Sequence, residues 1–405
     1  MNLDQRLRVT GVRTGEGEPR DLVMERGRFV PGAPEEPGAL AGAETVVDGA
    51  GLLALPAPVD AHMHPDKTTW GEPWLSRESA DSLAALIAYD ASVRAGMSPV
   101  AERSGALLDH AIAHGTRAVR AHVDVAPQYG LDNVLGVRKA AAARADLLDT
   151  QIVAFPQLGV VAAQGTDVLL EQALDEGADV LGGLDPVGID GDGAGQLDLL
   201  FGIAQRRGVE LDIHLHDRGE IGLEQIRQIA RRTASAGLGG RVTVSHAFAL
   251  ADLDAPELAR TAELLASEGV SVTTCALGAD PVVPFQALGR AGARVAIGSD
   301  GVCDPWTPFG NAEMMERAHL LAYRTDARTD RELAACYALV ADGGADLLGL
   351  DRITFEPDSP ADFILVDAPS VAEAVVRKPR PRLVVRGGQV IARDGVLLGA
   401  AGAPC

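Results

Sequence analysis

Between about residue 59 and residue 300 the chain repeats one pattern eight times: a short apolar run, then a longer stretch with helical period. The first run leads into His62, and the others are TRAVRAHVDV, QIVAFPQLG, ADVLGGLDP, VELDIHLHD, RVTVSHAF, VSVTTCA and ARVAIGSD. Segments such as DVLLEQALDEG and ELARTAELLASEG separate them. Strict alternation of strand and helix joins the strands as a parallel sheet covered by helices, and eight units are enough to close it. The expected fold class is therefore α/β, a (β/α)8 TIM-like barrel.

The flanks have a different texture. LRVTGVRTGEG, DLVMERGRFVPG and ETVVDGAGLLAL near the start, and ADFILVDAP, RLVVRGGQVIARDG and VLLGA near the end, are short β-like runs broken by Gly and Pro. Neither set buries a face alone, so the two are expected to pair into one small β-sandwich. The expected division is 1–55 and 351–405 for the two halves of the sandwich and 56–350 for the barrel.

Composition excludes several classes of function. Hydrophobic residues at 47% and charged residues at 23% suit a globular chain with a sizeable core. A formal charge of −21 opposes binding to phosphate backbones, so no nucleic-acid partner is expected. No apolar run is long enough to span a bilayer, and the opening MNLDQRLRVTG lacks the basic and apolar regions of a secretory leader. A cytoplasmic protein without membrane partners is the expectation. Cys275, Cys303, Cys336 and Cys405 show no CxxC spacing, which fits reduced thiols. Homo-oligomers are common among such barrels, but no interface is legible.

Polar residues concentrate where a barrel carries its chemistry, at the C-terminal ends of the strands. Asp60, His62 and His64, then Arg120, His122 and Asp124, then Gln157, His214, His216, His246 and Asp300 all fall there. His62 and His64 are two apart on a strand, so both imidazoles project the same way and can chelate one ion. Asp300, after a Gly-Ser bend, adds an oxygen ligand of the kind zinc or ferrous iron accepts beside imidazole. Arg120, His122 and Asp124 are expected to face the barrel interior, the Arg and Asp as a supporting hydrogen-bond network. His110, His114 and His319 sit in helical segments and are read as solvated or helix-packing residues.

In order along the chain, VDAHMHPDKT, GTRAVRAHVDV, QIVAFPQLG, VELDIHLHD, RVTVSHAFAL and IGSDGVCDPWTPFGNAEMM resemble the cytosine deaminase-like branch of the amidohydrolase superfamily. The resemblance implies one divalent metal ion, Zn2+ or Fe2+, held by His62, His64, His214 and Asp300. It implies that His246 orients the attacking water and that Asp300 also accepts its proton. Gln157 stands where those deaminases use a Gln on the amide edge of a pyrimidine. Binuclear relatives bridge two metals through a Lys after the fourth strand. ADVLGGLDP has none, and Lys67 on the first loop is instead placed to meet a carbonyl or anionic group of the substrate.

Two departures concern the substrate. The deaminases carry a proton-shuttling Glu three residues after the fifth-strand His, whereas His214 is followed by Leu215, His216 and Asp217. Asp217 is the expected shuttle, with His216 or Glu220 as alternatives. The acid that follows the eighth-strand Asp in the deaminases is here Gly301. Trp306 and Phe309 in the next loop are expected walls for a flat ring, and Cys303, placed near the pocket by the same loop, is not read as a nucleophile without a nearby base. The expected activity is removal of an amino or alkylamino group from a nitrogen heterocycle by metal-activated water. Hydrolysis of an amide or cyclic imide at the same centre is the alternative, and a weakly catalytic binding barrel a remote one.

Overall fold

A computed structural model describes residues 6–15, 17–31, 44–77 and 83–399. Its centre is one parallel sheet of β1 (Val59–Met63), β2 (Ala118–Asp124), β3 (Asp149–Phe155), β4 (Val180–Leu184), β5 (Glu210–His214), β6 (Val242–Ser245), β7 (Val270–Thr274) and β8 (Val295–Ile297). Each strand pairs with the next in sequence. All eight expected barrel strands are present. Each of β2, β4, β6, β7 and β8 is buried along its whole length, because one face packs on helices and the other looks into the barrel.

Local signals set the ends of the outer helices. Helix Gly193–Arg207 begins at Asp192, whose side chain accepts the Gly195 N–H, and stops at Gly208 with φ +67°. Helix Asp330–Ala338 opens with a reciprocal capping box between Thr329 and Glu332. Helix Gly344–Leu348 plugs the barrel floor, setting Leu347 and Leu348 against Val59, Ala61, Ala118 and Ala296. Gly344 permits this approach, since a Cβ there would lie 2.6 Å from the Val59 Cβ.

The seam between β8 and β1 closes the barrel. The Asp300 N–H donates to the His62 carbonyl at 2.7 Å, and the His64 N–H donates to the Asp300 carbonyl at 3.2 Å. One carboxylate oxygen of buried Asp60 accepts the Ser299 N–H at 2.9 Å and the His62 N–H at 3.2 Å.

Both chain ends contribute to the sandwich, as expected. One sheet contains Arg6–Val12, Arg20–Glu25, Arg28–Val30 and Glu44–Asp48; the other contains Leu53–Pro56, Phe363–Val366, Leu383–Arg386, Gln389–Arg393 and Val396–Leu397. Val9, Met24, Phe29, Phe363 and Leu365 fill the space between them. The outer face of the second sheet, with Ile364, Val384 and Ile391, joins the barrel's own core. The sandwich is thus mounted on the barrel and continuous with it through Leu53–Pro56, which runs on into β1. Cys275, Cys303 and Cys336 are free thiols, and Cys405 lies outside the described residues. Among the described residues no helix is long and apolar enough to cross a membrane.

At the seam a Cβ on Gly298 would meet the His62 nitrogen and oxygen at 2.4 Å and its Cβ at 2.5 Å. These are mainly backbone atoms and cannot rotate away. Gly298→Ala is therefore expected to lower the free energy of unfolding by about 2–3 kcal/mol or more. Urea denaturation checks this, and a loss under about 0.5 kcal/mol would mean that the barrel does not depend on this close approach.

Candidate active site

Alternation along the strands decides which side chains meet. His62 on β1 and His64 just past its end project into the barrel mouth; β5 contributes His214, the turn after β6 contributes His246, and the bend after β8 contributes Asp300. His246 and Asp300 carry φ of +68° and +62°, and Asp185 just after β4 carries +32°. Such backbone costs on the order of 1–3 kcal/mol per residue and is tolerated where the surroundings fix it. Here it turns His246 and Asp300 toward one cavity and sets Asp185 against His216, which lines it.

That cavity has a volume of about 860 Å3. His64, His214, His246 and Asp300 line its inner end. The Nε2 atoms of His64 and His214 lie 3.2 Å apart, and His64 Nε2 lies 3.4 Å from Asp300 Oδ1. His62 Nε2 is 3.8 Å from the same oxygen and is buried with no hydrogen-bond partner among the described residues. Two donors each about 2.0–2.1 Å from a tetrahedral ion stand roughly 3.3 Å apart, so these atoms suit the ligand edges of one cation. Burial drives the pKa of His62, His64, His214 and His246 well below the ordinary histidine value, so each is neutral, the form that ligates.

A supporting chain orients His62. Its Nδ1 lies 3.1 Å from Ser245 Oγ, and that hydroxyl donates to Asp212 at 2.6 Å. With its proton given to Asp212, the hydroxyl accepts from Nδ1–H, which leaves the lone pair on Nε2. Arg120 then holds Asp212 at 3.1 Å and Glu210 at 2.8 Å. Burial raises the Asp212 carboxyl to about 6, against the pull of Arg120. His122 is buried and stacks on His62 at 3.9 Å, beneath the donor atoms. Arg120 is the internal support expected from the sequence. Asp124 instead faces Lys67 at 3.0 Å and Arg94 at 2.8 Å.

Lys67 and Gln157 meet in the same cavity, where the ammonium donates to Gln157 Oε1. Lysine only donates, so the Gln157 amide nitrogen is left for other partners. The Lys67 ammonium sits 5.2 Å from the Phe155 ring and 5.9 Å from that of Trp306. Trp306 lines the cavity, and Phe309 stands 77% exposed at its rim.

Neither carboxylate considered after His214 reaches this cavity. Asp217 accepts the Gly188 N–H at 2.9 Å and the Gln225 amide at 2.8 Å, so it braces the loop after β4. Glu220 is 80% exposed and pairs with Arg227. His216 does line the cavity, stacked on His246 at 4.4 Å, with Nδ1 2.7 Å from Asp185 Oδ2. Burial lowers its pKa, but Asp185 outweighs this and the net shift is upward. Asp185 was not foreseen, although it sits at a strand end like the other site residues. Gly301 also gains a meaning: a Cβ there would lie 2.2 Å from Asp304 Oδ2. The missing side chain makes room for Asp304, a buried cavity residue whose carboxyl is raised to about 6 by burial. Cys303 is turned toward the Pro308 and Gly310 carbonyls, and burial raises its pKa.

With this geometry, the chain belongs to the amidohydrolase family, whose model matches residues 45–392. It is a metal-dependent hydrolase of non-peptide carbon–nitrogen bonds. N-isopropylammelide isopropyl amidohydrolase of Pseudomonas sp. strain ADP is 31% identical over 363 residues, which cover 87% of this chain and 89% of that protein. The crystal structure of N-isopropylammelide isopropylaminohydrolase from Burkholderia multivorans ATCC 17616 is 41% identical with a TM-score of 0.92, over 97% of this chain and all of that one. The structure of 5-methylcytosine deaminase from Klebsiella pneumoniae with phosphonocytosine is 27% identical with a TM-score of 0.81, over 95% and 98% of the two chains.

Ser245 offers a direct test of the support chain. Ser245→Ala is expected to weaken zinc binding by about 10–100-fold without unfolding the barrel, measured by competition with a chelator. Unchanged affinity would mean that the hydroxyl does not orient His62.

Proposed function

We propose that the chain hydrolyses an exocyclic C–N bond of an oxo-substituted nitrogen heterocycle, releasing an amine, with one divalent cation, zinc or iron, held by His62, His64, His214 and Asp300. The observation that carries this reading is the His216–Asp185 pair, a proton donor held in the cavity beside His246. When bound, the cation supplies a Lewis acid that makes water nucleophilic near neutral pH. Asp300 accepts the proton of the attacking water, and His246 aligns that water with the ring carbon. As the C–O bond forms and the C–N bond breaks, His216 passes a proton to the departing nitrogen and Asp185 stabilises the imidazolium. The amide nitrogen of Gln157 and the ammonium of Lys67 donate to oxo groups on the ring edge.

Two features favour an alkylamino leaving group over ammonia. The cavity exceeds what a single six-membered ring fills, and its outer wall includes apolar Leu277, Leu320, Trp306 and Phe309. Two relatives carry names that specify an isopropylamino group on a heterocycle. The rival reading, opening of an amide or cyclic imide, draws on the absence of Asp217 from the cavity, since it needs no carboxylate shuttle to a ring nitrogen.

Zinc-loaded protein assayed on amino- and N-alkylamino-substituted pyrimidines, pterins and oxotriazines is expected to release amine with the ring intact. Ring-opened acid detected by mass spectrometry would favour the rival, and neither product from folded, loaded protein would overturn both and leave a binding barrel. His216→Gln is expected to lower kcat by about 10^2–10^4-fold with metal content unchanged. A loss of only a few-fold would place the proton donor elsewhere.

A further inference from the structure

Away from the barrel mouth, three side chains aim their donor atoms at one point. His110 lies on helix Val100–Ala113 and His114 caps it; four residues apart, they share a face, and their rings stand 4.1 Å apart. Glu313, just before helix Met314–Arg324, places Oε1 3.5 Å from Nε2 of His110 and 3.5 Å from Nε2 of His114. Charge-assisted hydrogen bonds between such groups are about 2.7–2.9 Å long, so this spacing is too wide for them. His110 Nε2 is buried with no hydrogen-bond partner among the described residues. The spacing is close to the roughly 3.3 Å between two ligands of a tetrahedral zinc ion.

The tautomer of His114 also fits. Its Nδ1 lies 2.8 Å from the His110 carbonyl oxygen, which only accepts, so Nδ1 carries the hydrogen and the lone pair of Nε2 faces Glu313. Burial lowers the His114 pKa and keeps the ring neutral. The side chains of His110 and Glu313 are 24% and 31% exposed, so the cluster lies near the surface.

We infer that His110, His114 and Glu313 form a second, peripheral site for a borderline divalent cation such as zinc, separate from the barrel mouth. The donor set is two imidazoles and one carboxylate, a combination that zinc accepts. Arg380 is a nearby exposed cation that depresses the His114 pKa, and it weakens this site relative to the one in the barrel. Occupancy ties helix Val100–Ala113 to the end of the segment that carries Asp304, Trp306 and Phe309, so it braces a wall of the cavity.

Equilibrium dialysis of the full chain against zinc, with metal analysis, tests the inference. Wild type is expected to hold two zinc ions per chain, and His110→Ala and His114→Ala to hold one. The retained first ion reports that these variants are folded. Glu313→Gln, a milder change, is expected to weaken the second ion at least about tenfold, and Arg380→Gln to tighten it. A second readout is local: the Trp70 ring lies 4.6 Å from that of His110, so Cu2+ added to zinc-loaded enzyme should quench fluorescence that Trp70→Phe removes. A wild-type stoichiometry of one, or a second ion kept by His114→Ala, would overturn the inference.

Discussion

The seam between β8 and β1 closes the barrel through the same residues that build its chemical centre. The Asp300 backbone donates to His62 and accepts from His64, while its carboxylate faces both imidazoles at 3.8 and 3.4 Å. A shift of β8 along β1 would break two backbone hydrogen bonds and also separate Asp300 from the histidines. The left-handed backbone of Asp300 is tolerated because neighbours on both sides fix it, with Gly298 pressed on His62 below and the Asp60 carboxylate bridging the strands. Fold stability and site geometry are therefore one constraint at this place.

Around that seam the interior carries charges that an apolar core could not hold. Arg120, fully buried, satisfies Asp212 and Glu210, and through Ser245 sets the tautomer of His62. A second buried network joins Arg94 to Asp90 and Asp124, and Asp124 to Lys67. Removing one partner from either network leaves an uncompensated charge, which costs several kcal/mol in a buried setting. The two networks flank the cavity, one orienting a donor of the centre and the other aiming Lys67 at Gln157. Rigidity on both sides keeps these groups ready in position, so less reorganisation accompanies binding.

Much of this was legible before any coordinates, and the reason is periodicity. Strands buried on both faces leave long apolar runs, so His62, His64, His214, His246 and Asp300 stand out as polar residues at their ends. Two-residue spacing puts Asp60 and His62, like Asp212 and His214, on one face. What periodicity does not carry is the direction of a side chain after the strand has ended. Asp217 sits one residue beyond His216, yet the loop turns it to Gly188 and Gln225 while His216 meets Asp185. Ser245 gave no signal, being an ordinary strand residue until Asp212 and His62 converge on it. His110 and His114 read as solvated or helix-packing residues because their partner, Glu313, lies about 200 residues away in sequence and only the fold brings it near.

The two departures from the deaminase pattern fit together physically. A chain whose carboxylate after the fifth-strand histidine, Asp217, turns away from the cavity needs another proton donor beside His246, and a histidine held by Asp185 can act as one. An acid at position 301 would collide with Asp304, so its absence lets Asp304 enter the cavity on the side facing Lys67. Negative charge is thus moved off the residue after Asp300 and placed deeper in the loop. On this wall the Asp304 carboxylate stands among the cavity residues together with the ammonium of Lys67 and the amide of Gln157. His62, His64, His214 and Asp300 keep their places around one point, while the acid that would follow Asp300 is found instead at Asp304, along the loop.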